Sequence, residues 1–425
     1  MNYPDSVHFL YALGNEVKTA KFGLERIRAV LDAMGRPEEL TRFVHVAGTN
    51  GKGSTSAMIE SGLRADGRRT GLFTSPHLAE PTERIRISGA PVSATRFAAL
   101  FDRVHAVVEK LLAENAIDLH TTYFETVTAM AFLAFAEEPV DIVVLEVGLG
   151  GRLDATNVVH PALSVITPVD FDHEAYLGKS LESIAGEKAG ILKEGVPAVL
   201  ARQRPEAAAV LEARAGHLHV PLTHTADWVV EDLQVVARGS RFHLRGERSL
   251  SIACPLAGEH QAENAVTAAA SLVRLGVPGP AIESGIAGTR WPGRLEQVSA
   301  DPEIIVDGAH NPAGARALAA YIDRFYADRR VRLIYGAMRD KAVDEISGIL
   351  FPRARQVIVT APRQARALSP ESIRLVSDHP DLHTAPDLAS ALELVRDASA
   401  DDVVFITGSL FLVAEARALL LGSGQ

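Results

Sequence analysis

Seven residues, Gly48-Thr49-Asn50-Gly51-Lys52-Gly53-Ser54, bring glycines, one lysine and two hydroxyls together. Glycines let backbone N–H groups approach phosphate oxygens, and Lys52 can reach β- and γ-phosphates. The apolar run Phe43-Val44-His45-Val46-Ala47 comes before, and a helical pattern from Thr55 to Leu63 comes after. A strand feeding a helix is the context a phosphate loop requires, because the helix N-terminus adds partial positive charge. The strict G-x-x-x-x-G-K-[ST] pattern is not met. Val46 stands where its first glycine belongs, and Gly53 follows Lys52, displacing the nearest hydroxyl to Ser54.

Three further groups could serve phosphate chemistry. Glu146 ends the apolar run Val140 to Leu145, where a carboxylate can hold Mg²⁺ directly or through water, or can simply be a solvated strand end. Gly148, Gly150 and Gly151 follow at once, with Asp154 and Asn157 as polar groups of the same loop. His173 follows Pro168-Val169-Asp170-Phe171-Asp172 at another strand end and reads equally as ligand or structural histidine. Lys188 sits in a helical stretch, Ser183 to Leu192, where composition alone favours an ordinary surface lysine.

The elements that must position these residues alternate. Buried strands at Phe43–Ala47, Val140–Leu145 and Leu163–Ile166, separated by helical patterns, predict a parallel sheet covered by helices. Around Trp228 to Ile252, apolar residues among polar ones with Gly239 and Gly246 as turns suit antiparallel strands, followed by a helix near His260 to Leu275. Gly288 to Gly293 reads as a linker. Alternation then restarts with Ile304–Val306, a helix from Ala313 to Phe325, and strands at Val331–Tyr335, Val357–Thr360 and Val403–Thr407. The expectation is α/β: a doubly wound, phosphate-loop domain with a small antiparallel sheet over residues 1–290, then a smaller Rossmann-like domain over residues 291–425. Ligands in such sheets sit at the carboxyl ends of strands, so the cleft between the domains is the expected site.

With 425 residues the chain can bury a large core. The formal net charge of −10 argues against broad binding to nucleic acid. No apolar run approaches the roughly 20 residues that span a bilayer, and Met1 to Asp5 shows no secretion signal. Cys254 is the only cysteine, which excludes an internal disulfide. A cytoplasmic protein is expected.

The phosphate-loop segment resembles that of the Mur ligase superfamily. Within it, Thr74-Ser75-Pro76-His77-Leu78, Glu83-Arg84-Ile85, Glu146 to Asn157 and Ala185-Gly186-Glu187-Lys188-Ala189-Gly190 resemble the folylpolyglutamate synthases. So do Trp291-Pro292-Gly293-Arg294, Asp307-Gly308-Ala309-His310-Asn311-Pro312 and Gly408-Ser409-Leu410. The similarity runs from about Phe22 to about Ala414, and its strength lies in several motifs in one order. Thr82 departs from it, standing where asparagine is expected.

The resemblance implies ATP and Mg²⁺ as cofactors. Gly48 to Ser54 would cradle ATP phosphates, with Ser54 also at their metal. Ser75, Glu146 and His173 would be Mg²⁺ ligands. Lys188, carbamylated by CO₂, would bind a second Mg²⁺. Asn264, Arg294 and Asp307 would position the nucleotide. His310 and Ser409 would face phosphate or incoming glutamate, with His310 the candidate base. Arg84, Phe124, Asp154 and Ala155 would border the pterin or p-aminobenzoate part of a substrate.

The stretch Gly151-Arg152-Leu153-Asp154-Ala155 resembles bacterial members with both dihydrofolate synthase and folylpolyglutamate synthase activity more than those that only extend folates, which remain the alternative with other Mur-type amino-acid ligases. The implied reaction phosphorylates the carboxylate of dihydropteroate or a reduced folate, then joins it to L-glutamate. A monomer is expected, with no nucleic-acid or membrane partner. A cell-wall Mur ligase would carry a further N-terminal domain, and the 47 residues before Gly48 are too few for one. A switch ATPase would keep the strict loop pattern, and a plain NAD-binding enzyme would show G-x-G-x-x-G instead.

Overall fold

The structure is a computed structural model describing residues 1–14 and 23–422. Phe22, where the family resemblance begins, lies outside them. Three sheets organise the described chain.

The first comprises β1 (Phe43–Ala47), β2 (Thr70–Phe73), β3 (Ile85–Ile87), β4 (Ala90–Pro91), β5 (Ile142–Glu146), β6 (Leu163–Ile166), β7 (Ala198–Leu200) and β8 (Leu222–His224), in the order β4-β3-β2-β5-β1-β6-β7-β8. All pairings are parallel except those of β3 and β4, which add an antiparallel edge. Ser88 and Gly89, both at positive φ, make the tight β3–β4 turn. The central strands β5, β1 and β6 are fully buried, as strands covered by helices on both faces must be.

Helix α1 (Tyr3–Ala12) packs on the β3 side of this sheet's core. Helix α2 (Lys52–Ala65) starts three residues before the sequence pattern suggests, because Gly51 at φ 83° turns the chain directly into it. The phosphate-loop lysine therefore occupies the first helical turn. Helices α3 (Ala94–Ala113) and α4 (Tyr123–Glu137) cover the β2–β5 face, with Thr122 and Glu125 forming a capping box at the start of α4. Helix α5 (Leu181–Ala189) is capped by Ser180 and ends before Gly190, shorter than the expected Ser183–Leu192.

The second sheet, β9 (Val229–Val236), β10 (Gly239–Arg245) and β11 (Ser249–Cys254), is antiparallel, as the alternation around Trp228 to Ile252 predicts. Its Phe242, Leu244, Leu250 and Ile252 pack into the same core as α6 (Glu259–Arg274) and α7 (Gly279–Ala287). Helix α2 is buried between the main sheet and these two helices. Gly285 approaches the backbone of Gly62 so closely that a Cβ there would collide.

The third sheet draws every strand from Glu296 onward: β12 (Glu296–Ala300), β13 (Glu303–Val306), β14 (Arg330–Tyr335), β15 (Gln356–Val359), β16 (Leu382–Thr384) and β17 (Asp402–Thr407). Their order is β12-β13-β17-β14-β15-β16, parallel apart from β12. Helix α8 (Pro312–Phe325) and helix α9 (Leu410–Leu421) take opposite faces and belong to separate cores.

Candidate active site

The order β5-β1-β6 places three carboxyl-terminal loops side by side. Glu146 pairs with Val46 in register, so the end of β5 lies beside the loop after β1. Residues Pro168 to His173 leave β6 on the other flank, and Thr49 ties the two loops together. Its N–H donates to Pro168 O at 3.0 Å, and its hydroxyl donates to Asp170 O at 2.9 Å. Two glycines are dictated here. A Cβ on Gly48 would strike Thr167, and one on Gly51 would strike the Asn264 amide, both at positive φ.

Opposite them, β13 and β17 run parallel with Val306 beside Ile406. Asp307 therefore stands at a strand end facing the phosphate loop. Its carboxylate accepts from Leu295 N and Ala309 N, both at 2.9 Å, which fixes the segments carrying Arg294 and His310. Between the sheets lies a cleft of about 490 Å³. It is lined by Gly48 to Ser54, Ser75, Glu146, His173, Lys188, Asn264, Arg294, Asp307 and His310.

Two lysines converge on one carbonyl. Lys52 Nζ donates to Gly48 O at 3.0 Å and Thr49 O at 3.1 Å, and Lys188 Nζ donates to Gly48 O at 2.9 Å. Lys188 is only 3 % exposed. Burial, reinforced by the neighbouring charge of Lys52, pulls its pKa down to about 7. Lys188 is thus not the surface lysine that composition favours, because helix α5 turns it inward.

Glu146 is equally buried, and its Oε2 accepts from Ser75 N at 3.1 Å. Burial pushes its pKa up to about 7, against the pull of Lys52, Ser75, Arg294 and Arg84. A buried carboxylate that costs this much to ionise is well suited to a divalent cation. Glu146, with the hydroxyls of Ser54 and Ser75, offers the hard oxygen donors that Mg²⁺ prefers. His173, half-buried, has its pKa drawn down to about 4 by desolvation and by Lys341 and His310, against Asp172. It is therefore a neutral ring able to donate a lone pair.

Asp172, one of the two carboxylates beside His173, is engaged by groups from the third sheet. Lys341 Nζ lies 2.9 Å from its Oδ1, and Asn311 Nδ2 donates to its Oδ2 at 3.2 Å. His310 Nε2 is 3.6 Å from the same oxygen. Burial opposes its ionisation, but His310, Lys341 and His173 outweigh that and hold the carboxyl well below the usual carboxylate range. Asn311 also donates to Asn50 Oδ1 at 2.9 Å. Asn311 stands inside the Asp307-to-Pro312 motif, and Lys341 follows the carboxyl end of β14. Position at a strand end is the signal that could have found Lys341.

Five expected site residues do not line this cleft. Ser409 is buried and caps α9, its hydroxyl accepting from Phe411 N at 3.2 Å. Asp154 caps a short turn: one oxygen accepts from Leu149 N at 2.8 Å and the other from Thr156 N at 3.0 Å. Ala155 follows it, buried. Phe124 packs so tightly on Gly148 that any side chain there would clash. Arg84 Nε donates to His77 Nδ1 at 2.9 Å, and its guanidinium lies 5.0 Å from the Tyr123 ring centre. Arg84, Phe124, Asp154 and Ala155 cluster on the α4 side of Gly148, next to the cleft rather than in it.

A phosphate loop with a buried lysine and a buried glutamate beside it, facing an Asp–His strand end on another sheet, is the site of an ATP-dependent amide-bond-forming ligase. The Mur ligase middle-domain model matches residues 46–272, and the Mur ligase glutamate ligase domain model matches residues 293–410. The chain belongs to the dihydrofolate synthase/folylpolyglutamate synthase family of Mur ligases. It is similar to the Mycobacterium tuberculosis dihydrofolate synthase/folylpolyglutamate synthase, 38% identical over 93% of this chain and 89% of that protein. The Bacillus subtilis protein of the same name is 36% identical over 93% and 94%. The structure of Mycobacterium tuberculosis folylpolyglutamate synthase complexed with ADP superposes with a TM-score of 0.93. It is 36% identical and covers 100% of this chain and 98% of that one.

Proposed function

We propose that this chain joins the amino group of L-glutamate to the carboxylate of dihydropteroate and of reduced folates, with ATP cleaved to ADP and phosphate. The observation that carries this reading is the inter-sheet cleft, where the Lys52 loop and Lys188 face Asp307, Arg294 and His310. The substrate carboxylate attacks the γ-phosphorus, giving an acyl phosphate and releasing ADP. Lys52, now folded back on Gly48 O and Thr49 O, swings to the phosphate oxygens and offsets charge as the phosphoryl group transfers. Asn264, Arg294 and Asp307 hold the nucleotide.

Ser54, Ser75, Glu146 and His173 would hold Mg²⁺, and Lys188 as its carbamate a second ion; bound there, Mg²⁺ supplies charge neutralisation. A Lys188 amine with its pKa near 7 has a substantial neutral fraction, and its lone pair can attack CO₂. The N–C bond forms, a proton leaves, and a cation becomes an anion.

In the second half-reaction the glutamate nitrogen attacks the acyl carbon, phosphate departs and the nitrogen loses its proton. His310 is the base. Its Nδ1 faces Gly308 O at 2.8 Å, and because a carbonyl only accepts, Nδ1 carries the hydrogen. Nε2, 3.6 Å from Asp172 Oδ2, is the atom that takes up the proton, and the carboxylate stabilises the imidazolium that forms. The cluster of Arg84, Phe124, Asp154 and Ala155 borders the pterin end, and Ser409 supports the glutamate side through the start of α9. Residues 1–290 and 291–425 act as two units whose closure keeps water from the acyl phosphate. The same reading makes the protein a cytoplasmic monomer. Among the described residues no helix is long and apolar enough to cross a membrane.

The test offers dihydropteroate or tetrahydrofolate separately with ATP, Mg²⁺ and glutamate, and weighs the products. A mass gain of one glutamyl unit is expected from each. No product from dihydropteroate removes the dihydrofolate synthase half of the reading, and no product from either removes it all.

A further inference from the structure

Away from the cleft, α3 and the 114–122 segment leading to α4 carry a second group of donor side chains. His105 and Glu109 lie one turn apart on α3, so they share a face. His120 returns to that face from the following segment. Glu109 Oε1 is 3.9 Å from His105 Nδ1 and 3.8 Å from His120 Nε2. These separations are too long for hydrogen bonds.

The protonation of His120 follows from its neighbour. Its Nδ1 faces Thr121 O at 2.9 Å. A carbonyl oxygen only accepts, so Nδ1 carries the hydrogen, and in the neutral ring Nε2 is the lone pair. That lone pair is aimed at a carboxylate. His120 Nε2 and His105 Nδ1 are both sealed from solvent, and neither has a hydrogen-bond partner. Two unpartnered ring nitrogens turned towards one carboxylate leave room for a cation between them. The rings are also held in place. Phe9 lies 4.7 Å from the His105 ring and 5.7 Å from that of His120, and Phe101 stacks on His105 at 5.4 Å.

We propose that His105, Glu109 and His120 form a divalent transition-metal site, separate from the ligase cleft, that takes Zn²⁺ by preference. Two imidazoles and one carboxylate are a donor set Zn²⁺ accepts, with water completing four-coordination. Bonds of about 2.0–2.1 Å place tetrahedral ligand atoms roughly 3.3 Å apart. The three ligand atoms lie within 4.8 Å of one another, so reaching that spacing takes an inward turn of Glu109, whose side chain is 56% exposed, and a closer approach of the two rings. The Nδ1–H of His120 on a backbone carbonyl is the orientation that metal-bound histidines commonly adopt. Occupation fastens the 114–122 segment to α3 just before Thr122 caps α4.

The experiment uses the untagged full-length protein, saturated with Mg²⁺ and a non-hydrolysable ATP analogue so that the cleft is occupied. Zn²⁺ is titrated by calorimetry, and Co²⁺ by visible absorption. One Zn²⁺ equivalent that excess Mg²⁺ does not displace is expected, with intense four-coordinate Co²⁺ bands and a raised melting temperature. E109A and H120A should weaken Zn²⁺ binding by about 100-fold or more and abolish the Co²⁺ bands, with glutamate addition unchanged. Glu109 is exposed, so E109A decides the matter if H120A does not fold. The proposal is overturned if no Mg²⁺-resistant equivalent appears, or if E109A binds Zn²⁺ as the unaltered protein does.

Discussion

Lys341, following β14 of the third sheet, places its Nζ 2.9 Å from Oδ1 of Asp172, in the loop after β6 of the first. The two side chains are 9% and 11% exposed, so the ion pair spanning the two sheets is shielded from water. Asn311 and His310 approach the other oxygen of the same carboxylate. The arrangement couples the position of the candidate base to the seating of one sheet against the other.

K341M should therefore lower kcat/KM by about 10- to 100-fold, since sub-ångström displacement of reacting groups is costly. Leaving Asp172 buried without its cation should also cost about 3 kcal/mol of stability. Steady-state kinetics with glutamate varied, together with denaturant unfolding, check both. Wild-type kinetics in K341M would mean that the pair is incidental to closure.

Lys52→Ala should reduce ADP formation by about 1000-fold, the order of loss when a preorganised charge at a transferring group is removed. Substrate-dependent ADP release measures it. Near-normal turnover in this variant would sink the phosphoryl-transfer account.

Lys188→Ala should be inactive, with activity returning on addition of short carboxylates that stand in for the carbamate. The wild-type protein stripped of CO₂ should regain activity on adding it back. With free CO₂ held constant, recovery should rise with pH through about 7, because only the neutral amine attacks and its fraction grows above its pKa. Carbon-13 NMR of the reconstituted protein should show a carbamate signal absent from Lys188→Ala.

Two buried histidines should cost the protein stability as the pH falls below 6.5, an effect that Glu146, which takes up a proton below about 7 in the fold, partly offsets. Burial drives the pKa of His45 down to about 3, aided by Lys193, and that of His77 down to about 3, aided by Arg84. Unfolded histidines bind protons below about 6.5 while these two do not. The unfolded state therefore gains protons as pH falls from 6.5 towards 3, and stability falls over that window. Each histidine should cost about 2 kcal/mol between pH 7 and pH 5. Unfolding free energies measured across that range should slope accordingly, and H45N, which cannot protonate, should flatten the slope.

Local order is what the sequence carried. The strand before Gly48, the helix after it, the acidic end of β5 and the antiparallel stretch from Trp228 to Ile252 all depend on neighbours in the chain, through periodicity and turn residues. Family resemblance singled out Lys188, which composition alone reads as a surface lysine. Contacts set by strand order were not legible. The sequence does not say that β1 lies between β5 and β6, yet this places Glu146 and Asp172 on either side of the phosphate loop. Nor does it say that α5 turns Lys188 inward onto Gly48 O, or that Lys341 closes on Asp172 from 169 residues away. The Gly48-to-Ser54 cradle was determined by its own residues, because glycine flexibility and a helix start are local properties. The protonation states of Lys188 and Glu146, and the meeting of Lys341 with Asp172, were decided only by tertiary structure, because desolvation and charge proximity depend on which distant segments exclude the water.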